Sequence, residues 1–138
     1  MKSILDYLTT KHTALIAELG ENDGSSALCG VVAAEVAQRL LDEGKSPRIE
    51  DVSEWTYENG KLTHVKTLIP TIFKNKWTEK GGWGCHVVCC ADNIAYDPLL
   101  GEPVPVNEYC KLLFGEDIPM EVTVPPEEMA EYLRADPF

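Results

Sequence analysis

Eight consecutive residues, Ala27-Leu28-Cys29-Gly30-Val31-Val32-Ala33-Ala34, carry no charge or amide side chain, and no other stretch constrains the fold as tightly. Ser25 or Ser26 can cap a helix here and Gly44 can stop it, so a helix is predicted over about Ala27 to Glu43. A helix whose first turns lack a polar face must be covered on every side, which places this one at the centre of the molecule. The run is also far shorter than the roughly 20 residues a membrane span needs.

The remaining elements have to supply that cover. A helix is predicted over residues 3–19: Ser3 followed by Asp6 resembles a capping box, and Ile4, Leu5, Leu8, Leu15, Ile16 and Leu19 form its apolar stripe, with Gly20 as its stop. After Pro47 the pattern becomes β-like. Ile49 to Tyr57 and Leu62 to Ile69 flank Glu58-Asn59-Gly60-Lys61, where Asn-Gly signals a two-residue hairpin. Two short strands, His86–Cys90 and Ile94–Asp97, follow a Gly-rich loop. A short helix over Val106 to Phe114 has Asn107 as cap and Gly115 as stop; a strand at Met120 to Val124 follows. Pro125-Pro126-Glu127-Glu128 opens a last helix through Arg134. Helices first and strands later define an α+β fold, a buried N-terminal helix against a small antiparallel sheet. One domain accounts for residues 1–138: a leading helix (1–20), a core (22–124) and a C-terminal helix (125–138).

The net charge of −11 over 138 residues decides against two partner classes. Nucleic acid and anionic membrane surfaces both require a cationic face, and no Lys/Arg cluster provides one. The first residues lack the apolar core of a signal peptide, so a cytoplasmic location is expected. Five cysteines, an odd number in a chain large enough not to need staples, are expected to be reduced thiols.

Among these thiols Cys29 stands apart. A helix start favours an anion through its unpaired N–H groups and dipole, and the thiolate is the nucleophilic form of cysteine. Gly30 beside it leaves a substrate's approach open. A free cysteine in an apolar run is more often a core thiol, so Cys29 needs a base nearby to count as a nucleophile. His86 opens a strand, and strand alternation puts it on one face with Val88 and Cys90. A turn at Asp92-Asn93 makes paired residue numbers sum to 185. That register sets Asp97 diagonally from His86, on the same face and within reach of a carboxylate–imidazole hydrogen bond. Imidazole can take the thiol proton and return it to a leaving group, and a carboxylate on its other nitrogen fixes its tautomer and stabilises its cation.

Other groupings are weaker. Cys85, His86, Cys89 and Cys90 invite a zinc reading, but Cys85 and Cys89 face one way and His86 and Cys90 the other, so no metal or other cofactor is expected. His64 lies in a hairpin strand without an evident carboxylate partner, and His12 is expected on the exposed side of the first helix. Trp77, Trp83 and Tyr96 are more often packing groups, though Trp83 lies close enough to His86 to line a substrate groove.

With these residues in view the chain resembles the papain-like cysteine enzymes. The matching parts are Ser26-Ala27-Leu28-Cys29-Gly30 opening a buried helix, Gly84-Cys85-His86-Val87-Val88 opening a strand and Ile94-Ala95-Tyr96-Asp97-Pro98 ending the next, over approximately residues 22–100. The spacings are most similar to bacterial papain-fold toxin domains and to transglutaminase-like and protein-glutamine deamidase domains. The resemblance implies attack of Cys29 on an amide carbonyl of a protein or peptide, a thioester intermediate, and His86 and Asp97 as base and orienter. Papain itself stabilises the oxyanion with a Gln before the nucleophile; no Gln precedes Cys29, and Asn22 is the nearest amide to replace it. Amidase, glutamine deamidase and peptidase share this half-reaction. The rival expectations are a transglutaminase-like acyltransferase and a non-catalytic binding module on the same fold.

Overall fold

Ser3 starts the first helix as its cap: its hydroxyl accepts the N–H of Asp6 at 3.2 Å, the backbone half of the expected capping box. The computed structural model describes residues 3–21, 29–71 and 83–135. Helix α1 spans Ile4–Glu21, slightly past Gly20, and helix α2 spans Cys29–Asp42. The serine caps expected for α2 lie outside the described residues. Its other end is a Schellman motif: Gly44 adopts φ +81°, its N–H reaches Leu41 O at 2.9 Å, and the Lys45 N–H reaches Leu40 O at 2.9 Å. The two helices are tied by polar contacts as well as packing. Tyr7 donates to Glu35 at 2.5 Å, the Arg39 guanidinium sits 3.9 Å over the Tyr7 ring, and the Ile4 N–H is held by Glu43 at 2.7 Å.

Five antiparallel strands form the main sheet: β1 (Arg48–Val52), β4 (His86–Ala91), β5 (Ile94–Asp97), β6 (Glu102–Pro105) and β7 (Met120–Val124), in the order β6-β5-β4-β1-β7. The β4–β5 hairpin pairs Cys89 with Tyr96, Cys90 with Ala95 and Ala91 with Ile94, which is the register a turn at Asp92-Asn93 requires. Asp92 takes φ +54°, a left-handed conformation that aspartate tolerates better than most side chains. Strand β4 lies centrally between β5 and β1, and helix α2 packs along it and buries Val32, Ala33, Val36, Ala37 and Leu40. Helix α3 (Val106–Phe114) buries Tyr109, Cys110, Leu113 and Phe114. A 3-10 turn, Pro126–Glu128, leads into the last helix, α4 (Met129–Arg134), which contacts α2. The described residues thus form an α+β fold of four helices, the five-stranded sheet and a small two-stranded sheet. Among them, no helix is long and apolar enough to cross a membrane.

Several local expectations require correction. The segment Ile49–Tyr57 divides in two at Ser53 and Glu54, which belong to neither strand. Its first half joins the main sheet as β1, while β2 (Trp55–Glu58) pairs with β3 (Lys61–Val65) as a separate hairpin. Asn59 and Gly60 both have positive φ, 52° and 78°, which is the type I′ turn that Asn-Gly favours. Strand β3 stops at Val65, short of the expected Ile69, and Leu68 instead bridges Trp83. Helix α3 is capped by Pro105, not Asn107, and without a side-chain bond. His12 is half-buried: its Nδ1 bonds Pro98 O at 2.8 Å.

Candidate active site

Three segments distant in sequence converge at the start of β4. Cys29 opens α2, His86 opens β4 and Asp97 closes β5. The His86 Nε2 lies 2.9 Å from Asp97 Oδ2, so the diagonal placement expected from the hairpin register does bring imidazole and carboxylate together. Asp97 has further partners: the Tyr109 hydroxyl donates to Oδ2 at 2.5 Å and the Leu99 N–H to Oδ1 at 2.9 Å. His86 and Asp97 are 3% and 4% exposed, so the pair is closed to solvent.

Burial opposes charge on Asp97, yet the His86 hydrogen bond and charge, the Tyr109 hydroxyl and the Leu99 N–H together hold its carboxyl below the ordinary carboxylate range. Burial also opposes the imidazolium. The Asp97 hydrogen bond, the looser contact with Cys29 and the negative charges of both outweigh it and raise His86 to about 9. For Cys29 burial again acts against the anion, but His86 and the Val87 N–H prevail over both burial and the charge of Asp97, so the thiol pKa falls below its ordinary value. Both shifts favour the thiolate–imidazolium form relative to the isolated groups. The contact itself is looser than a formed hydrogen bond, because His86 Nδ1 is buried without a partner of ordinary geometry. With Nε2 occupied by Asp97, Nδ1 is the ring nitrogen left to exchange a proton with Cys29. Catalytic pairs are commonly long before substrate arrives and tighten in the complex.

The exposure of Cys29 fits this chemistry better than complete burial would. The first part of α2 was expected to be covered all round, but Cys29, Gly30, Val31 and Ala34 are half-buried while Val32 and Ala33 are buried. Cys89, Cys90 and Cys110 are buried, with pKa values pushed upward mainly by desolvation. Cys85 is exposed, and its pKa is raised by its partial burial and by the negative charges of Asp51 and Cys29. Of the thiols that shift, only Cys29 moves toward the nucleophilic form among the described residues.

Trp83 has a different position from the groove wall offered by sequence. It is 4% exposed and stacks on the His86 ring, with centroids 5.0 Å apart and planes 10° from parallel. Phe114 meets the same imidazole edge-on at 6.0 Å. The two aromatics hold the ring's orientation and exclude water from the bond to Asp97. Asn22, the oxyanion candidate, and Trp77 lie outside the described residues. His64 is exposed on β3. Among the described residues no cluster of His, Cys, Asp and Glu is arranged to hold a metal ion.

Tyr109 and Phe114 were missed by sequence reasoning. The signal available was thin: a tyrosine on the apolar face of a short helix needs a hydroxyl partner when buried. Changing Tyr109 to Phe keeps the ring and removes the donor to an ionised acceptor, so a loss of about 2 kcal/mol is expected. Urea unfolding checks it; an unchanged midpoint would show that the bond to Asp97 contributes nothing.

A half-buried thiol, an imidazole and a carboxylate in series define a candidate cysteine-nucleophile site. The chain matches no protein-family model, and no curated protein or solved structure gives a match.

Proposed function

We propose that the protein is a cysteine-dependent acyl-transfer enzyme of the papain-like kind, acting on an amide carbonyl of a protein or peptide. The observation that carries this reading is the 2.9 Å His86–Asp97 bond, which leaves the other imidazole nitrogen to Cys29, whose pKa is lowered. The Cys29 thiolate adds to the carbonyl carbon. His86 gives its Nδ1 proton to the leaving nitrogen, the C–N bond breaks and an amine or ammonia departs from the thioester. Water then adds to the thioester as neutral His86 takes its proton, and the thiolate is expelled with a carboxylic acid as product. An amine in place of water completes transamidation. Asp97 stays ionised throughout, orienting the ring and stabilising its cation. The Val87 N–H, already near the sulfur, helps to hold the thiolate.

Iodoacetamide labelling at pH 6, located by peptide mass spectrometry, tests the assignment. Cys29 should carry the adduct in the wild-type protein, Cys29→Ala should abolish the labelling, and Cys110→Ala should leave it intact. Uniform labelling of all five thiols would remove the support for a nucleophile and leave a binding module as the better reading.

A further inference from the structure

A cavity of about 520 Å³ lies where the β2–β3 hairpin meets the ends of β1 and β7. Its lining residues include the acidic Asp51, Glu54 and Glu121, the aromatic Trp55 and Tyr57, and Met120. No lysine or arginine is among the described lining residues. Lys66, whose charge reaches Glu54, is engaged by Glu116 at 2.8 Å. Trp55 and Tyr57 are 46% and 60% exposed, on a hairpin strand whose residues are all exposed. Large aromatics left open on a projecting hairpin contribute little to the core, whereas rings beside several acidic residues suit a cation with an aliphatic stem.

The position of the cavity connects it to the candidate site. Asp51 pairs with Val87 on β4 and Val52 pairs with His86. Val87 in turn supplies the N–H near Cys29. A polypeptide advances about 3.3 Å per extended residue, so a side chain in the cavity would sit only a few residues from an amide at Cys29.

We propose that this cleft receives the cationic side chain of a lysine or arginine in the substrate polypeptide, so that the target amide lies within a basic segment. The acidic surface draws such a segment toward the protein, and the cleft selects it by pairing its charge and covering its stem. The substrate assignment rests on the acyl-transfer reading; the cation preference of the cleft is separable from it.

Binding is measured by fluorescence anisotropy at 150 mM salt on the full chain carrying Cys29→Ala, which prevents turnover. The probes are a fluorescein-labelled Gly-Arg-Lys-Arg-Gly peptide and its counterpart with norleucine at the three basic positions. The basic peptide should bind about tenfold tighter or more. Glu54→Gln and Trp55→Ala, both at exposed positions, should each weaken it about fivefold. Glu108→Gln removes the same charge from an exposed position on α3 and should leave affinity unchanged. Equal binding of the two peptides, or equal losses from Glu54→Gln and Glu108→Gln, overturns the cleft. Iodoacetamide reactivity of Cys29 is read in parallel on the wild-type protein. A reactive Cys29 with no peptide preference overturns this inference alone, while an inert Cys29 overturns the acyl-transfer reading.

Discussion

Alkylation of Cys29 at pH 6 should slow by about tenfold or more when His86 is replaced by alanine, and acyl transfer should fall by about 10²–10⁴-fold. An ordinary thiol with a pKa of about 8.5 is only about 0.3% thiolate at pH 6. The imidazolium beside Cys29 depresses its pKa and so raises that fraction. Part of the gain is offset because a less basic thiolate is intrinsically less nucleophilic, which is why the expected factor is smaller than the change in ionisation alone. His86→Gln fills more of the buried site and serves as the second variant. A rate unchanged in both would show that the ring does not activate the sulfur. The pH dependence follows from the same pair. The acid limb of acyl transfer should lie below the ordinary thiol range, where Cys29 becomes protonated. The alkaline limb should fall near 9, where His86 loses the proton that the leaving nitrogen needs. Activity that climbs through pH 10 would contradict this assignment.

Asp97→Ala should cost about 3–5 kcal/mol of stability, the range for removing one partner of a buried ion pair. The loss is a large share of the roughly 5–15 kcal/mol by which domains are stable. Three groups would be stranded in the interior: the His86 ring, the Tyr109 hydroxyl and the Leu99 N–H. Equilibrium urea denaturation measures the effect, and a change below about 1 kcal/mol would show that these groups find other partners. Asp97→Asn keeps an acceptor in place and should cost less. The pH dependence of the pair has two sides. Asp97 has a depressed folded pKa, so its contribution is present above the unfolded value of about 3.9 and is lost as pH falls below it. His86 has a raised folded pKa, so its contribution is complete below about 6.5 and is lost as pH rises through about 9. Asp97→Ala should flatten both limbs.

The hairpin register shows how far short-range rules reach. A two-residue turn at Asp92-Asn93 fixes the pairing, and period-two alternation then sets Asp97 and His86 on one face. Nothing long-range enters that deduction, and the 2.9 Å bond agrees with it. The same rules gave the bounds of α3 and the Asn59-Gly60 turn. They failed at Ile49–Tyr57 because no glycine or proline marks a break there, while the strand ends at Val52. A local pattern cannot register that exit, since it depends on whether a neighbouring strand is present to pair with. The choice between packing and groove for Trp83 stayed open for a similar reason. Its position in sequence gave proximity to His86, but whether an aromatic lines a groove or covers a ring depends on what packs behind it. Here Phe114 and the bridge from Leu68 close that side.

By itself the sequence determined the α+β class, the apolar helix that carries Cys29 in its first turn, and the alignment of His86 with Asp97, because each follows from periodicity, turn chemistry or a short register. The tertiary structure alone decided that α2 brings Cys29 to the His86 ring, that Tyr109 reaches across from α3 to Asp97, and that the β2–β3 hairpin stands off with an acidic, aromatic cleft beneath it. Those outcomes depend on packing between segments tens of residues apart, where the free energy comes from shared burial and mutual hydrogen bonding that no single segment encodes.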